Sequence, residues 1–200
     1  MGTPTFLSSL EPVGACLRRH APDRIGGRGE IGGGVERQQW GATGGGVSEI
    51  FPLPDWQSEV NVPTTEDGHR GRGILDLAAN ASPYSGYLVR LHGTETVVGG
   101  TSASAPFLAG LIALMNQSLG RNLGHINPLL YAKIGPAGVI HNITSGDNGV
   151  QGVKGYPAGP GWNACTGWGS PDGRKLLEAL RATLNDQVRG NSKGTRDKKV

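Results

Sequence analysis

The sequence predicts one α/β domain of short strands and two amphipathic helices, and three observations support this class. Runs rich in β-branched and apolar residues lie between glycines, prolines and other turn residues at 47–52, 71–83 and 87–98. Leucine and other apolar residues recur with helical spacing near 102–118 and 172–185. At 200 residues, the chain is also long enough to bury one core of ordinary size.

The strand signals begin at Val47, after a glycine-rich segment that has neither helical nor strand periodicity. The run VSEIFP predicts a first strand, which prolines end before a helical turn from Asp55. The run GRGILDLAANASP predicts a second short strand. Residues 87–92 and 95–98 predict two strands of a hairpin, with the turn sequence HGT between them.

Two segments have the periodicity of amphipathic helices. The first, 102–118, places on one face the apolar residues Phe107, Leu108, Leu111, Ile112 and Met115. The second, 172–185, follows the turn sequence SPDG and aligns Leu176, Leu177, Leu180 and Leu184. Pro106 is expected within about the first turn of its helix, where its missing N–H costs little. Residues 119–171 are expected to be mostly loop, with an apolar stretch at 129–134.

Charge and hydropathy patterning exclude two classes of partner. The formal net charge is +3, but much of the basic charge lies at the two ends, within 18–28 and 189–199. Nucleic-acid binding, which needs basic residues gathered on one folded face, is therefore not predicted. No run approaches the ~20 apolar residues of a membrane span. The first residues do not resemble a signal peptide, because their basic residues follow a weak apolar stretch instead of preceding it.

The stretch VVGGTSASAP, 97–106, places Ser102 where a β-branched run stops and a helix begins. Unpaired backbone N–H groups and the positive end of the helix dipole lie at such a junction. They stabilise the negative charge that develops during acyl transfer. Gly99 and Gly100 let the backbone turn and leave room for a substrate chain. The arrangement favours Ser102 as a nucleophile, and a role of Thr101 or Ser102 as a helix N-cap is the alternative.

Six blocks of sequence, taken together, carry a family resemblance. They are TGGGVSEIFPLPDWQ (43–57), GRGILDLAANASPYSGYLV (71–89), GGTSASAPFLAGLIALMNQ (99–117), HINPLLY (125–131), HNITSGDNG (141–149) and AGPGWNACTGWGSPDG (158–173). In order and with similar gaps, they resemble the sedolisin family of serine-carboxyl peptidases, its kumamolisin-like group in particular. The resemblance implies a serine-type endopeptidase of peptide or protein substrates, with Ser102 as the catalytic nucleophile. It also implies a subtilisin-like fold, a mainly parallel sheet flanked by helices, of which this chain holds the C-terminal part.

The carboxylates that this family uses with its serine are missing from the chain. By the resemblance, a glutamate activates the serine, an aspartate one helical turn later orients the glutamate, and an aspartate in a GDSG-like block serves the oxyanion hole. None of the eight glutamates is followed by aspartate four residues later, and no GDSG-like block occurs. None of the five histidines has the sequence context of a subtilisin-type base. Because a serine without a base is a weak nucleophile, the chain alone is expected to be close to inert.

The resemblance further implies a calcium site, formed in the family by two aspartates and three backbone carbonyls. The matching positions are Asn142, Ile143, Gly159, Gly161 and Asn163, with asparagine at both aspartate positions. An amide oxygen can bind calcium, but the loss of two negative charges is expected to weaken the site greatly. Asp147 is a candidate to restore one charge, with an ordinary loop position as the alternative.

Three segments are therefore expected. They are an unmatched, disordered segment at 1–42, the C-terminal part of a sedolisin-like domain at 43–185, and a disordered charged tail at 186–200. The missing N-terminal half of the peptidase domain is expected as a partner. A non-catalytic peptide-binding pseudopeptidase and a truncated gene product remain open as alternatives. Members of the family are usually extracellular or lysosomal, and the compartment of this chain stays open.

Overall fold

A computed structural model describes residues 43–81, 86–149 and 153–194, with side chains as far as residue 186. Its strands are β1 (Val47–Pro52), β2 (Gly71–Gly73), β3 (Tyr87–Leu91), β4 (Thr94–Val98), β5 (Ile140–His141) and β6 (Ser170–Pro171). Its helices are α1 (Thr101–Leu119), α2 (Asn127–Leu129), which continues as a π-helical turn (Leu130–Ile134), and α3 (Gly173–Gly194), besides a 3-10 turn (Asp55–Gln57). The disorder predicted for 1–42 lies outside the described residues.

The described strands form three antiparallel pairs, β1 with β2, β3 with β4, and β5 with β6. The predicted hairpin is confirmed, with Tyr87 opposite Val98 and Leu91 opposite Thr94. Its turn holds His92 at φ 49° and Gly93 at φ 83°, the left-handed conformations that match the twist of a tight hairpin. A parallel sheet is not formed within the described ranges. It would need further strands joined by crossover connections.

Helix α1 confirms the predicted 102–118 segment, with one more residue at each end. Its inner face buries Leu108, Ile112 and Met115, while Phe107, predicted on the same face, is 48% exposed. Gly120 ends the helix at φ 64°, in the left-handed conformation that glycine adopts without strain.

Helix α3 begins after Asp172, whose Oδ1 accepts the backbone N–H groups of Arg174 and Lys175 at 3.1 Å each. Such a carboxylate satisfies backbone donors that have no partner inside the helix. Leu176 and Leu180 are fully buried, as the predicted apolar face requires. The helix continues past its predicted end at 185 as far as Gly194.

The core lies between α1, α3 and the π-helical turn, against two tryptophans. Trp162 donates its indole N–H to the Leu75 carbonyl at 3.0 Å. Gly135 packs flat against the ring of Trp168, where an added Cβ would lie 2.3 Å from the ring. Any larger residue at 135 would therefore displace the tryptophan. The core members are Val47, Ile112, Met115, Ile126, Leu130, Tyr131, Ile134, Ile140, Trp162, Ala164, Trp168, Leu176 and Leu180.

The outer side of α1 and the β3–β4 hairpin each expose apolar side chains. On α1, Leu114 is 62% exposed, and on the hairpin Leu88 is 68% exposed. The rings of Tyr87 and Phe107 pack at 5.2 Å between centroids and so join the two parts. Helix α1 contains no charged residue. None of the helices in the described part of the chain has the length and apolar content needed to cross a membrane.

Candidate active site

Ser102 is the second residue of α1 and lies at the surface. Gly100, directly before the helix, has φ 119° and ψ 156°, a conformation that residues with a Cβ rarely adopt. Gly100 is also the N-cap residue, and no side chain caps α1. The alternative role of Thr101 or Ser102 as the N-cap is therefore wrong. The Ser102 hydroxyl is not used to satisfy the helix end.

Hydrogen bonds to the segment after β2 hold the start of α1 in place. The Gly100 N–H donates to the Ala81 carbonyl at 2.8 Å. Ser104, which is fully buried, donates its hydroxyl to the Asn80 carbonyl at 3.2 Å. The two serines of the SAS sequence thus differ in role, because Ser104 anchors the helix and Ser102 faces outward.

Pro106 is the sixth residue of α1, later than the first turn predicted for it. Because proline has no N–H, it cannot donate the helical hydrogen bond to the carbonyl of Ser102. Helix α1 also has no acidic residue in its first turn. The positive end of its dipole is therefore not offset by its own side chains, which favours negative charge beside Ser102.

No described side chain is placed to take a proton from Ser102. Across 43–81, 86–149 and 153–194, its hydroxyl makes no hydrogen bond to another described residue. His125 packs edge-on against Trp56, with ring centroids 5.4 Å apart, and His92 occupies the hairpin turn. His125 thus has a packing role and His92 a position in a turn. His20 lies outside the described residues.

A buried polar cluster, which the sequence did not predict, supports the segment that anchors α1. Asp76 accepts hydrogen bonds from Arg72 Nη2 at 3.0 Å, Asn127 Nδ2 at 2.9 Å and the Tyr131 hydroxyl at 2.7 Å. Gln57 Nε2 donates to the same tyrosine oxygen at 2.7 Å. We call these five residues the Asp76 cluster. The Asp76 cluster fixes the backbone at Asp76, three residues before Ala79. The carbonyl groups of residues 79–81 then hold the start of α1 through hydrogen bonds.

The electrostatics of the Asp76 cluster keep its tyrosine neutral. Burial, followed by the negative charge of Asp76, raises the pKa of Tyr131 far above its ordinary value. The hydroxyl therefore keeps its proton and donates it to the carboxylate. The one sequence signal of this cluster is an aspartate inside the apolar run GILDLAA.

The structure brings four of the five predicted metal positions together in hydrogen-bonded pairs. Asn142 Oδ1 accepts the Gly161 N–H at 2.9 Å. Asn163 Nδ2 donates to the Gly159 carbonyl at 2.9 Å. We call Asn142, Gly159, Gly161 and Asn163 the asparagine clasp. Ile143 follows Asn142 and forms no hydrogen bond to the clasp within the described residues.

The donor set of the asparagine clasp does not fit a calcium ion. Calcium takes six to eight oxygen ligands. In the clasp an amide NH2 group points at the Gly159 carbonyl, and the Asn142 amide oxygen already accepts a backbone N–H. Asp147 is exposed and accepts the Gly149 N–H at 2.9 Å within its own turn. Among the described residues, no group of three His, Cys, Asp or Glu side chains is placed to hold a metal.

Individual proteins resemble this chain, although no model of a known protein family matches it. Kumamolisin from Bacillus sp. (strain MN-32) is 52% identical over 143 residues, which cover 70% of this chain and 26% of kumamolisin. Tripeptidyl-peptidase 1 from Homo sapiens is 35% identical over 158 residues, which cover 69% of this chain and 27% of that protein. This chain thus spans about a quarter of the length of these curated relatives.

A solved structure matches the fold over the same share of the chain. Pseudomonas sedolisin, a serine-carboxyl proteinase complexed with two molecules of pseudo-iodotyrostatin, matches with a TM-score of 0.61 at 36% identity. The match covers 70% of this chain and 37% of that one. The matched part of this chain belongs to the sedolisin family. The predicted fold class, part of a subtilisin-like α/β domain, is therefore confirmed.

Proposed function

We propose that this chain is the nucleophile-bearing part of a sedolisin-type serine peptidase domain, which hydrolyses peptide bonds of peptide or protein substrates. The observation that supports this best is the position of Ser102. Its hydroxyl is exposed at the second position of a helix that no side chain caps, after a glycine whose conformation other residues rarely adopt. A nucleophile in this place can approach a carbonyl carbon while open backbone N–H groups face the developing oxyanion.

Peptide hydrolysis by Ser102 requires a base, and this chain lacks the glutamate and aspartate pair that the family uses for it. In the acylation step, Ser102 Oγ bonds to the carbonyl carbon, its proton moves to a base, and the amine then leaves with a proton. No Glu-x-x-x-Asp pair occurs in the sequence. In a subtilisin studied by substitution, loss of the base costs on the order of a million-fold in kcat. We therefore expect Ser102 to be nearly unreactive in this chain alone.

The exposed apolar side chains of α1 and the hairpin support a second polypeptide region as the source of the missing groups. Helix α1 has no charge, and Leu114 on its outer side is 62% exposed. The neighbouring hairpin exposes Leu88 in the same way. Since the chain spans 26% of kumamolisin, we propose that the N-terminal part of a sedolisin-type domain covers these side chains and supplies the carboxylates.

A fluorophosphonate probe tests this proposal. The full chain is incubated with the probe alone, and then together with a polypeptide that comprises kumamolisin up to the start of the matched 143 residues. We expect labelling only in the mixture. Ser102→Ala should abolish it, whereas Ser118→Ala, which removes an exposed hydroxyl from the same helix, should leave it unchanged.

Two results would contradict the proposal. Equal labelling of the Ser102→Ala variant would place the reactive group elsewhere. A mixture that binds peptides with no labelling would instead support the non-catalytic, peptide-binding alternative.

A further inference from the structure

Backbone partners fix the orientation of both amides in the asparagine clasp. The N–H groups of Gly161 and Thr166 can only donate, so each must face an amide oxygen, at 2.9 Å in both cases. The NH2 group of Asn142 then donates to the Trp168 carbonyl, and that of Asn163 donates to the Gly159 carbonyl, each at 2.9 Å. Because carbonyl oxygens can only accept, no alternative assignment of the amide atoms satisfies these partners.

We infer that the asparagine clasp holds its loops without a metal ion, with amide hydrogens of Asn142 and Asn163 in the place of a cation. An aspartate at 163 would put a negative oxygen where Nδ2 now lies, 2.9 Å from the Gly159 carbonyl oxygen. Two acceptors at that separation repel, unless a cation or a proton lies between them. A neutral amide without an ion and a carboxylate with an ion are thus two consistent solutions, and this chain has the first.

Calcium binding would disrupt hydrogen bonds that the clasp already makes. To turn its one amide oxygen toward a metal, each asparagine would have to give up its bonds to backbone partners. Those losses would add to the two missing negative charges, because ligand charge is one factor that sets calcium affinity. The clasp is therefore a hydrogen-bonded substitute for a cation site.

The clasp also supports the helix that carries Ser102. Asn163 exchanges two backbone hydrogen bonds with Gly167, at 3.0 and 2.8 Å. The next residue, Trp168, donates its backbone N–H to the Asp76 carbonyl at 3.0 Å. Asp76 begins the segment that holds the start of α1. The position of Ser102 is therefore expected not to depend on calcium.

Thermal unfolding in calcium chloride and in EGTA tests the inference. The melting temperature of the unaltered chain should be the same in millimolar calcium and in EGTA. The double variant Asn142→Asp/Asn163→Asp should melt lower in EGTA, because carboxylates then face carbonyl oxygens. Calcium should restore it, by about 2–8 °C if ion binding returns about 1 to 2 kcal/mol. Asn163→Asp alone gives the same comparison if the double variant does not fold in EGTA.

A matched control separates a local effect from added charge. Asn61→Asp/Asn185→Asp introduces two carboxylates at exposed positions and should show no rescue by calcium. A rise in the melting temperature of the unaltered chain at micromolar calcium would overturn the inference. So would a double aspartate variant that is as stable in EGTA as the unaltered chain. The readout is independent of Ser102 labelling, so this inference and the proposed function can fail separately.

Discussion

Replacement of Asp76 by alanine tests the idea that the Asp76 cluster fixes the segment behind the candidate active site. The change removes the acceptor of three side chains, Arg72, Asn127 and Tyr131, at 2.7 to 3.0 Å. The Arg72 and Asp76 side chains are only 10% and 11% exposed, so water cannot readily replace the lost bonds. Removal of one member of a buried ion pair costs about 3–5 kcal/mol of unfolding free energy.

That loss should be easy to measure in urea. With a slope of about 1–3 kcal/mol per molar urea, the unfolding midpoint should fall by about 2 M. Far-ultraviolet circular dichroism follows the transition, because α1 and α3 supply most of the described helix. Tyr131→Phe removes one hydrogen bond to the carboxylate and the one that the tyrosine oxygen accepts from Gln57. Because the ion pair of Arg72 with Asp76 remains, it should cost less, about 1.5–3 kcal/mol.

Exposed Asp55 provides the matched control, since Asp55→Ala removes the same group from the surface. The expected order of midpoints is Asp55→Ala, then Tyr131→Phe, then Asp76→Ala as the least stable. The reasoning is refuted if Asp76→Ala lowers the midpoint no more than Asp55→Ala does. Should Asp76→Ala fail to fold in buffer, Tyr131→Phe still gives a measurable shift relative to the control.

Two further changes concern α3. Leu180→Ala empties a fully buried position and should cost about 2–5 kcal/mol of unfolding free energy in the same urea assay. Leu184→Ala, at a half-buried position, should cost much less, and equal costs would contradict the packing described. Asp172→Ala removes the carboxylate whose pKa is lowered chiefly by the Lys175 backbone N–H. A lowered pKa contributes stability above the ordinary value of 3.8, which is lost as the pH falls through the folded value. The melting temperatures of the unaltered chain and Asp172→Ala should therefore converge in acid, and a gap independent of pH would rule out this role.

Local sequence patterns were sufficient for the elements that depend on local contacts. The 3.6-residue spacing of Leu108, Ile112 and Met115 predicted α1 and most of its buried face. The turn HGT predicted the β3–β4 hairpin because its strands are neighbours in sequence. The predicted end of α3 at 185 was wrong, because the helix continues to Gly194. The polar and charged residues after 185 were interpreted as a tail, although no proline interrupts the helix there.

Contacts between distant residues could not be predicted in the same way. Asp76 meets Asn127 and Tyr131 across separations of 51 and 55 residues, and no periodic pattern links these positions. The family resemblance located Asn142 and Asn163 but not the direction of their amides. That direction depends on which backbone groups donate and which accept, which only the folded loops determine.

Because α1 carries no charge, salt and temperature should affect the association of its exposed side in different ways. Screening by salt acts on charges, so it should have little effect on the burial of this uncharged helix. The free energy that favours removal of apolar surface from water instead depends on temperature, and it becomes weaker on cooling. Cold buffer should therefore favour dispersed molecules of this chain, and warming should favour their self-association.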